Sequence, residues 1–425
     1  MQRDIAFQMS ASNIRFGPGV TREVGMDLED LGARRTLVLM DPALRDLPTG
    51  LCVRESLDRA NVDYDVWDEI SIEPTDQSFR NAASIAIEGK FDSLVAVGGG
   101  STIDTAKAAN LYSSHPADFM DYVNAPLGKG RPVPGPLKPL IAIPTTAGTG
   151  SETTGVAIFD FVEIRAKTGI AHRYMKPTLG LIDPHNTRTM PAAVAAATGL
   201  DVLSHALESY TALPFDQRPQ PARPLERPAY QGANPLSDIW SLRALELMAE
   251  FLPRAFADTN DEEARGQMML AAAMAGVGFG NAGVHLPHGM SYPVASKVHG
   301  YQHPGYAVDH PMIPHGISVI LNTPSVVRFT ALADPSRHLR AAAALGADIS
   351  DATPDQAGDV LAGQVIHFMR QLDVPNGLAE VGYTVSDIPA LVEGTLPQHR
   401  VTKLSPIPAG GQELTDLFRS AMTIW

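Results

Sequence analysis

Asp201 and His205 stand four residues apart in Gly199-Leu-Asp-Val-Leu-Ser-His-Ala-Leu-Glu-Ser-Tyr210, an Ala- and Leu-rich stretch that reads as a helix. That spacing puts a carboxylate and an imidazole on one helical face, where both can grip one ion. Six of the 13 histidines crowd between residues 285 and 315, and His288 and His315 are each followed by glycine. Spacing alone does not choose among His285, His288, His299, His303, His310 and His315. A lone histidine on an apolar helix is more often a packed core residue than a ligand, but the shared face and the crowding favour metal binding. One carboxylate with imidazoles suits Fe²⁺ or Zn²⁺ better than Ca²⁺ or Mg²⁺. An ion held that way would polarise an alcohol oxygen.

A second chemistry lies in Gly98-Gly-Gly-Ser-Thr-Ile-Asp-Thr-Ala-Lys107, which follows an apolar run and opens a helical pattern. Glycines let a backbone approach a pyrophosphate, and the free N–H groups of a helix start bind its charge. A lone glycine-rich turn is weak evidence, and this one is not the usual G-x-G-x-x-G. A second polar turn, Pro144-Thr-Thr-Ala-Gly-Thr-Gly-Ser-Glu152, follows another apolar run. Two such turns at the ends of parallel strands predict a nucleotide site at a topological switch point. Asp41 ends a third run. There an acid can accept hydrogen bonds from ribose hydroxyls and repel a 2′-phosphate, which favours NAD over NADP. Asp41-Pro42 as a plain turn is almost as good a reading.

These residues need elements to hold them. Thr36-Leu-Val-Leu-Met40, Ser93-Leu-Val-Ala-Val97 and Leu140-Ile-Ala-Ile143 read as buried strands, alternating with helical segments such as 78–88. Residues 124–139, dense in Gly and Pro, read as an exposed loop, and the Pro-rich 214–235 as a surface insertion. Beyond residue 185 strand-like runs become scarce. Helices are predicted over 238–257, 262–277, 317–333, 336–345 and 355–372. The expected architecture is an α/β dinucleotide-binding domain with a parallel sheet over 1–185, then an all-α metal-binding and substrate domain over 186–425.

Length and composition set the outer limits. With 425 residues, 44% hydrophobic and 19% charged, the chain has the composition of a two-domain globular protein. Its 33 Lys+Arg against 47 Asp+Glu leave −14, which argues against nucleic acid or an anionic membrane as partner. One cysteine, Cys52, leaves no disulfide framework and no Cys-based metal site. No signal-like start and no apolar run of spanning length stands out, so a reducing cytoplasm is the expected address.

Together the motifs resemble those of the iron-containing, or group III, alcohol dehydrogenase family. The resemblance spans nearly the whole chain: G-G-G-S-x-x-D-x-A-K at residues 98–107, P-T-T-x-x-T-G-S-E at 144–152, D-x-x-x-H at 201–205 and P-H-G at 314–316. It implies the dehydroquinate synthase-like fold of that family, NAD, and Fe²⁺ or Zn²⁺ on Asp201, His205, His288 and His315. It also implies a homodimer or larger assembly. Cofactor contacts implied are Asp41, Gly98, Gly99, Gly100, Ser101, Asp104, Thr145, Thr146, Thr149, Ser151 and Leu181. The family's H-x-x-x-H-P-x-G appears here as His288-Gly-Met-Ser-Tyr-Pro-Val-Ala, so Tyr292 replaces the second histidine. Tyr292 or His310 is left to relay the proton.

Residues 281–293, 306–311 and 394–404, with 167–170 and 176–184, resemble one branch of the family. That branch passes hydride from 4-hydroxybutyrate to 2-oxoglutarate. Acidic substrates call for cations, and Arg165, Lys167, Arg173, Lys176 and Lys297 are candidates, Lys167 foremost. The rival readings are an NAD-dependent iron or zinc alcohol dehydrogenase acting on a small alcohol or hydroxy acid, a dehydroquinate-synthase-like lyase, and a non-catalytic scaffold. The lyase should show more basic residues near its site, and a scaffold would not need all four ligands.

Overall fold

A computed structural model describes residues 2–163, 166–306 and 308–425, and these fall into two compact units. Ser10–Met190 forms one; Met1–Met9 with Pro191–Trp425 forms the other.

The Ser10–Met190 unit is built on a six-stranded parallel sheet. In chain order its strands are β1 (Asn13–Phe16), β2 (Arg35–Met40), β3 (Asp63–Trp67), β4 (Ser93–Gly98), β5 (Leu140–Pro144) and, after a β6–β7 hairpin (Val156–Phe161, Ala166–Ala171), β8 (Leu179–Ile182). The spatial order is β1-β8-β5-β4-β2-β3. β2, β4 and β5 are the three runs read as buried strands, and they lie side by side at the centre. Covered on both faces, they are continuous in Leu, Val and Ile, each worth about 1.5–3 kcal/mol when fully buried. β3, at the edge, is instead mostly exposed and acidic. Arg35 bridges its Asp63 and Asp65 at 2.8 and 2.6 Å, the kind of charge that keeps an edge from pairing further. The Asp76–Glu88 helix starts on a Thr75/Ser78 capping box. Neither β1 nor the hairpin was foreseen. β1 is four residues and largely exposed, and the hairpin lacks a strict in/out alternation.

Among its described residues, the second unit is helical. Its long helices are Ala192–Thr211, Pro235–Ala257 and Glu262–Ala282. The helix expected over 317–333 is two, His315–Ile320 and Thr323–Thr330. Pro324 has no N–H to continue the ladder and would clash with the preceding turn, so the chain breaks there. The Pro-rich 214–235 segment is held by the N-terminal residues. Asp4 pairs with Arg218 at 2.7 Å and Arg227 at 2.9 Å, and Gln8 and Gln231 exchange two hydrogen bonds. Among the described residues no single helix is long and apolar enough to cross a membrane.

Candidate metal centre and nucleotide turns

In the helical unit, the Ala192–Thr211 helix carries Asp201 and His205, both buried. His288 lies in the Leu286–Ser296 helix and His315 begins His315–Ile320. The last is brought in by close packing. A Cβ on Gly316 would sit 1.9 Å from the Ala197 carbonyl oxygen, so only glycine lets that segment lie on the Asp201 helix. Ligand atoms of Asp201, His288 and His315 all lie within 4.8 Å of one another. His288 Nε2 and His315 Nε2 are 3.6 and 3.7 Å from Asp201 Oδ1, and His205 Nε2 is 3.1 Å from His288 Nε2.

The fit of a cation is tested by what these atoms lack. Asp201 Oδ1 is buried with no hydrogen-bond partner, and so is His205 Nδ1. A buried, unsatisfied carboxylate oxygen costs several kcal/mol, which a cation among these donors would remove. Burial opposes charge on Asp201, yet His205 and His315 hold its carboxyl far below the ordinary range. Burial likewise opposes charge on His288, but Glu208 and Asp201 outweigh it and raise its pKa. His205 goes the other way, burial depressing it to about 3. Three nitrogens and one oxygen form a borderline donor set, as Fe²⁺ and Zn²⁺ prefer.

Sequence reasoning passed over Glu208. It accepts from His288 Nδ1 at 2.6 Å and from the His285 backbone N–H at 2.6 Å. A carboxylate on Nδ1 fixes the ring with Nε2 toward the cluster, as metal-bound histidines commonly require. Its signal was present, because residues 201, 205 and 208 share a helical face. His285 bonds Thr211 Oγ1 instead, at 3.1 Å. His299 and His310 are exposed, pairing with Asp387 and Asp309, and His303 bonds the Pro304 carbonyl. Tyr292 is buried one turn beyond His288, its hydroxyl accepting from Arg400 Nη2 at 3.0 Å. Lys297 follows the same helix, half-buried.

In the Ser10–Met190 unit, the two polar turns meet. β4 leads into the Gly100–Ser114 helix, whose N-cap Gly99 has no side chain to cap the first N–H groups. A Cβ on Gly100 would come within 2.5 Å of Thr149, and one on Gly99 within 3.2 Å of Thr146. Such a glycine-lined helix start is a cradle fit for a pyrophosphate. β2 and β4 are neighbours whose connections leave in opposite directions, so Asp41 and residues 98–101 flank a switch point. Asp41 also takes the plain turn role, accepting from the Ala43 N–H at 2.9 Å.

Other expected contacts are placed differently. Asp104 accepts from Ser151 Oγ and from the Ile158 N–H, and Lys107 donates to Ser151 and the Val156 carbonyl. Asp104 and Ser151, both expected at the cofactor, are thus bonded to each other, and with Lys107 they fasten the helix to the second turn. Thr145 is buried, and its N–H donates to the Gly98 carbonyl at 3.1 Å. Ser101 accepts from the Glu73 N–H at 3.3 Å. Leu181, expected at the cofactor, has its side chain wholly buried in the core with Val38, Val97 and Ile143, which leaves only its backbone to face a ligand. Lys167 is buried on β7 between Glu73 at 2.5 Å and Asp160 at 3.2 Å. Its charge is balanced twice, which ties Glu73 and Asp160 to the hairpin. Lys176 donates to the Ser10 carbonyl, and burial lowers its pKa to about 8. Arg173 lies in the same short helical turn. Arg165 lies outside the described residues.

Comparison with known proteins settles the relationship. The signature described as iron-containing alcohol dehydrogenase matches residues 11–184, and that of the family's C-terminal part matches residues 226–422. The chain belongs to the iron-containing alcohol dehydrogenase family. It is therefore an oxidoreductase of a family that acts on hydroxyl groups and implies NAD and a divalent metal. Hydroxyacid-oxoacid transhydrogenase, mitochondrial, of Xenopus tropicalis is 57% identical over 424 residues, 99% of this chain and 92% of the relative. The Homo sapiens protein of the same name is 55% identical, over 99% and 91%. Among solved structures, 1,3-propanediol oxidoreductase has a TM-score of 0.85 at 26% identity, covering 98% of this chain and all of that one. Sulfoacetaldehyde reductase from Bifidobacterium kashiwanohense, solved with NAD⁺, has 0.80 at 24%, covering 99% and 100%.

These relatives correct the expected address. Those transhydrogenases are named mitochondrial, which points to mitochondria and away from the cytoplasm. Acidity and a single cysteine carry no compartment signal of their own. They do not separate one aqueous interior compartment from another.

Proposed function

We infer that this iron-containing alcohol dehydrogenase family member is a hydroxyacid-oxoacid transhydrogenase, moving hydride from 4-hydroxybutyrate to 2-oxoglutarate through bound NAD. The observation that carries the reading is the 57% identity to a transhydrogenase over 99% of the chain. Asp201, His205, His288 and His315 would hold the ion, with iron favoured by the family and zinc equally suited to the donors. Held there, such an ion would supply the Lewis acidity that lowers the pKa of a substrate hydroxyl, and NAD would supply the hydride acceptor and donor.

The chain's own residues supply the rest. Glu208 keeps His288 oriented. Tyr292 accepts from Arg400, so its own O–H is free to donate or pass a proton, and its burial suits that role better than the exposure of His310. The helix start at Gly99 and Gly100 would receive the pyrophosphate, and Asp41 the adenine ribose. Asp41→Gly should therefore relax the preference for NAD over NADP. Assembly as a homodimer or larger goes with the family and is checked by light scattering.

The test is incubation with both acids, with and without added NAD⁺, following both products. Formation of succinate semialdehyde and 2-hydroxyglutarate in equal amounts without added NAD⁺ supports the reading. Turnover only with stoichiometric free NAD⁺ would favour a plain NAD-dependent alcohol dehydrogenase.

A further inference from the structure

Arg400, in the short His399–Thr402 helix, is a cation without an anion. Its Nη2 donates to Tyr292, its Cζ lies 4.9 Å from the centre of the Tyr230 ring, and its Nη1 is sealed from solvent with no hydrogen-bond partner. The groups that favour its charge are the phenols of Tyr292 and Tyr230, not a carboxylate. A guanidinium enclosed this way has given up water without receiving the planar acceptor its fork is shaped for.

Two packing routes place it beside the metal cluster. Tyr292 stands one turn from His288, and a Cβ on Gly289 would come within 2.6 Å of Thr402, so the Arg400 segment lies on the backbone next to a ligand. On the other side, the Tyr230 ring is 6.3 Å from that of Phe279, which stacks on His205 at 3.9 Å. Lys403, one turn on and exposed, is near enough for the two cations to repel.

We propose that Arg400 binds the carboxylate shared by both substrates. This rests on the transhydrogenase reading. In 4-hydroxybutyrate the carbon that loses hydride is two methylenes from a carboxylate. In 2-oxoglutarate the carbon that receives it is two methylenes from the distal carboxylate. One fixed cation can therefore set the reacting carbon of each acid at the same place, and the second carboxylate of 2-oxoglutarate is not needed for registration. Arginine offers paired N–H donors matched to a carboxylate, which a lysine ammonium does not.

The test compares wild type, Arg400→Gln and Arg400→Lys by calorimetry with butyrate, which has the carboxylate at the right spacing and no hydroxyl to react. Kinetics with 4-hydroxybutyrate, 2-oxoglutarate and 1-butanol accompany it. A charged hydrogen-bonded pair predicts that Arg400→Gln weakens butyrate binding by about 100-fold and Arg400→Lys by about 10-fold. KM should rise for both acids together, and the preference for acids over 1-butanol should collapse. Butyrate binding unchanged in Arg400→Gln, or a KM effect on 2-oxoglutarate alone, would overturn the assignment. If Arg400→Gln does not fold, Arg400→Lys decides, an unchanged KM for both acids being the contrary result. Wild type that binds butyrate through Arg400 yet interconverts neither acid would remove the transhydrogenase reading and leave the anchor. Equal interconversion by wild type and Arg400→Gln would do the reverse.

Discussion

Asp201 Oδ1 faces two imidazole nitrogens at 3.6 and 3.7 Å and bonds to neither, so its burial is justified by an ion. Asp201→Ala should abolish metal retention and lower turnover by about 1,000-fold or more, as loss of several kcal/mol of transition-state stabilisation requires. Glu208→Gln should keep the ion but weaken it by about 10–100-fold, because it loosens a ligand without removing one. Metal content and competition with a chelator read both, and equal metal affinity in Glu208→Gln would contradict the orienting role. The Asp201/His205 pair was legible because a helix converts spacing into a shared face. Which of six nearby histidines join it was not legible from spacing, since His288 and His315 arrive from separate helices and packing alone sets their distance. Arg400, almost 200 positions from Asp201, was invisible for the same reason.

At the level of elements, the strand runs 36–40, 93–97 and 140–143 declared themselves because parallel strands covered on both faces are apolar throughout. β1 and the hairpin did not, having neither long apolar runs nor clean alternation. The split between His315–Ile320 and Thr323–Thr330 matters to the site, since a short first helix carries His315 against the Ala192–Thr211 helix. Gly316 makes that contact possible. Gly316→Ala must move the helix off the Ala197 carbonyl and His315 with it. The expected result is a fall in metal occupancy together with a melting temperature lowered by several degrees. A variant that kept full occupancy would show that His315 is not positioned by this contact.

Taken whole, the chain's change of texture near residue 185 was readable, whereas the return of residues 1–9 to the helical unit was not, because it depends on Asp4 meeting Arg218 and Arg227 from far along the chain. Stability should carry a mark of one buried acid. Burial raises the Glu152 carboxyl to about 7 from an ordinary 4.5. Below about 4.5 it is neutral folded and unfolded, and between there and about 7 only the folded chain keeps the proton. Its contribution is thus full at low pH and lost as pH rises through about 7, by up to about 3 kcal/mol. Urea unfolding at several pH values should show that decline in wild type and a flatter profile in Glu152→Gln, and parallel profiles would contradict it. Function is tested most directly by the path of the hydride. With 4-hydroxybutyrate deuterated at C4, 2-oxoglutarate and no added cofactor, the account predicts deuterium at C2 of 2-hydroxyglutarate and no free NADH. Product without the label, or none until NAD⁺ is supplied in stoichiometric amount, would contradict it.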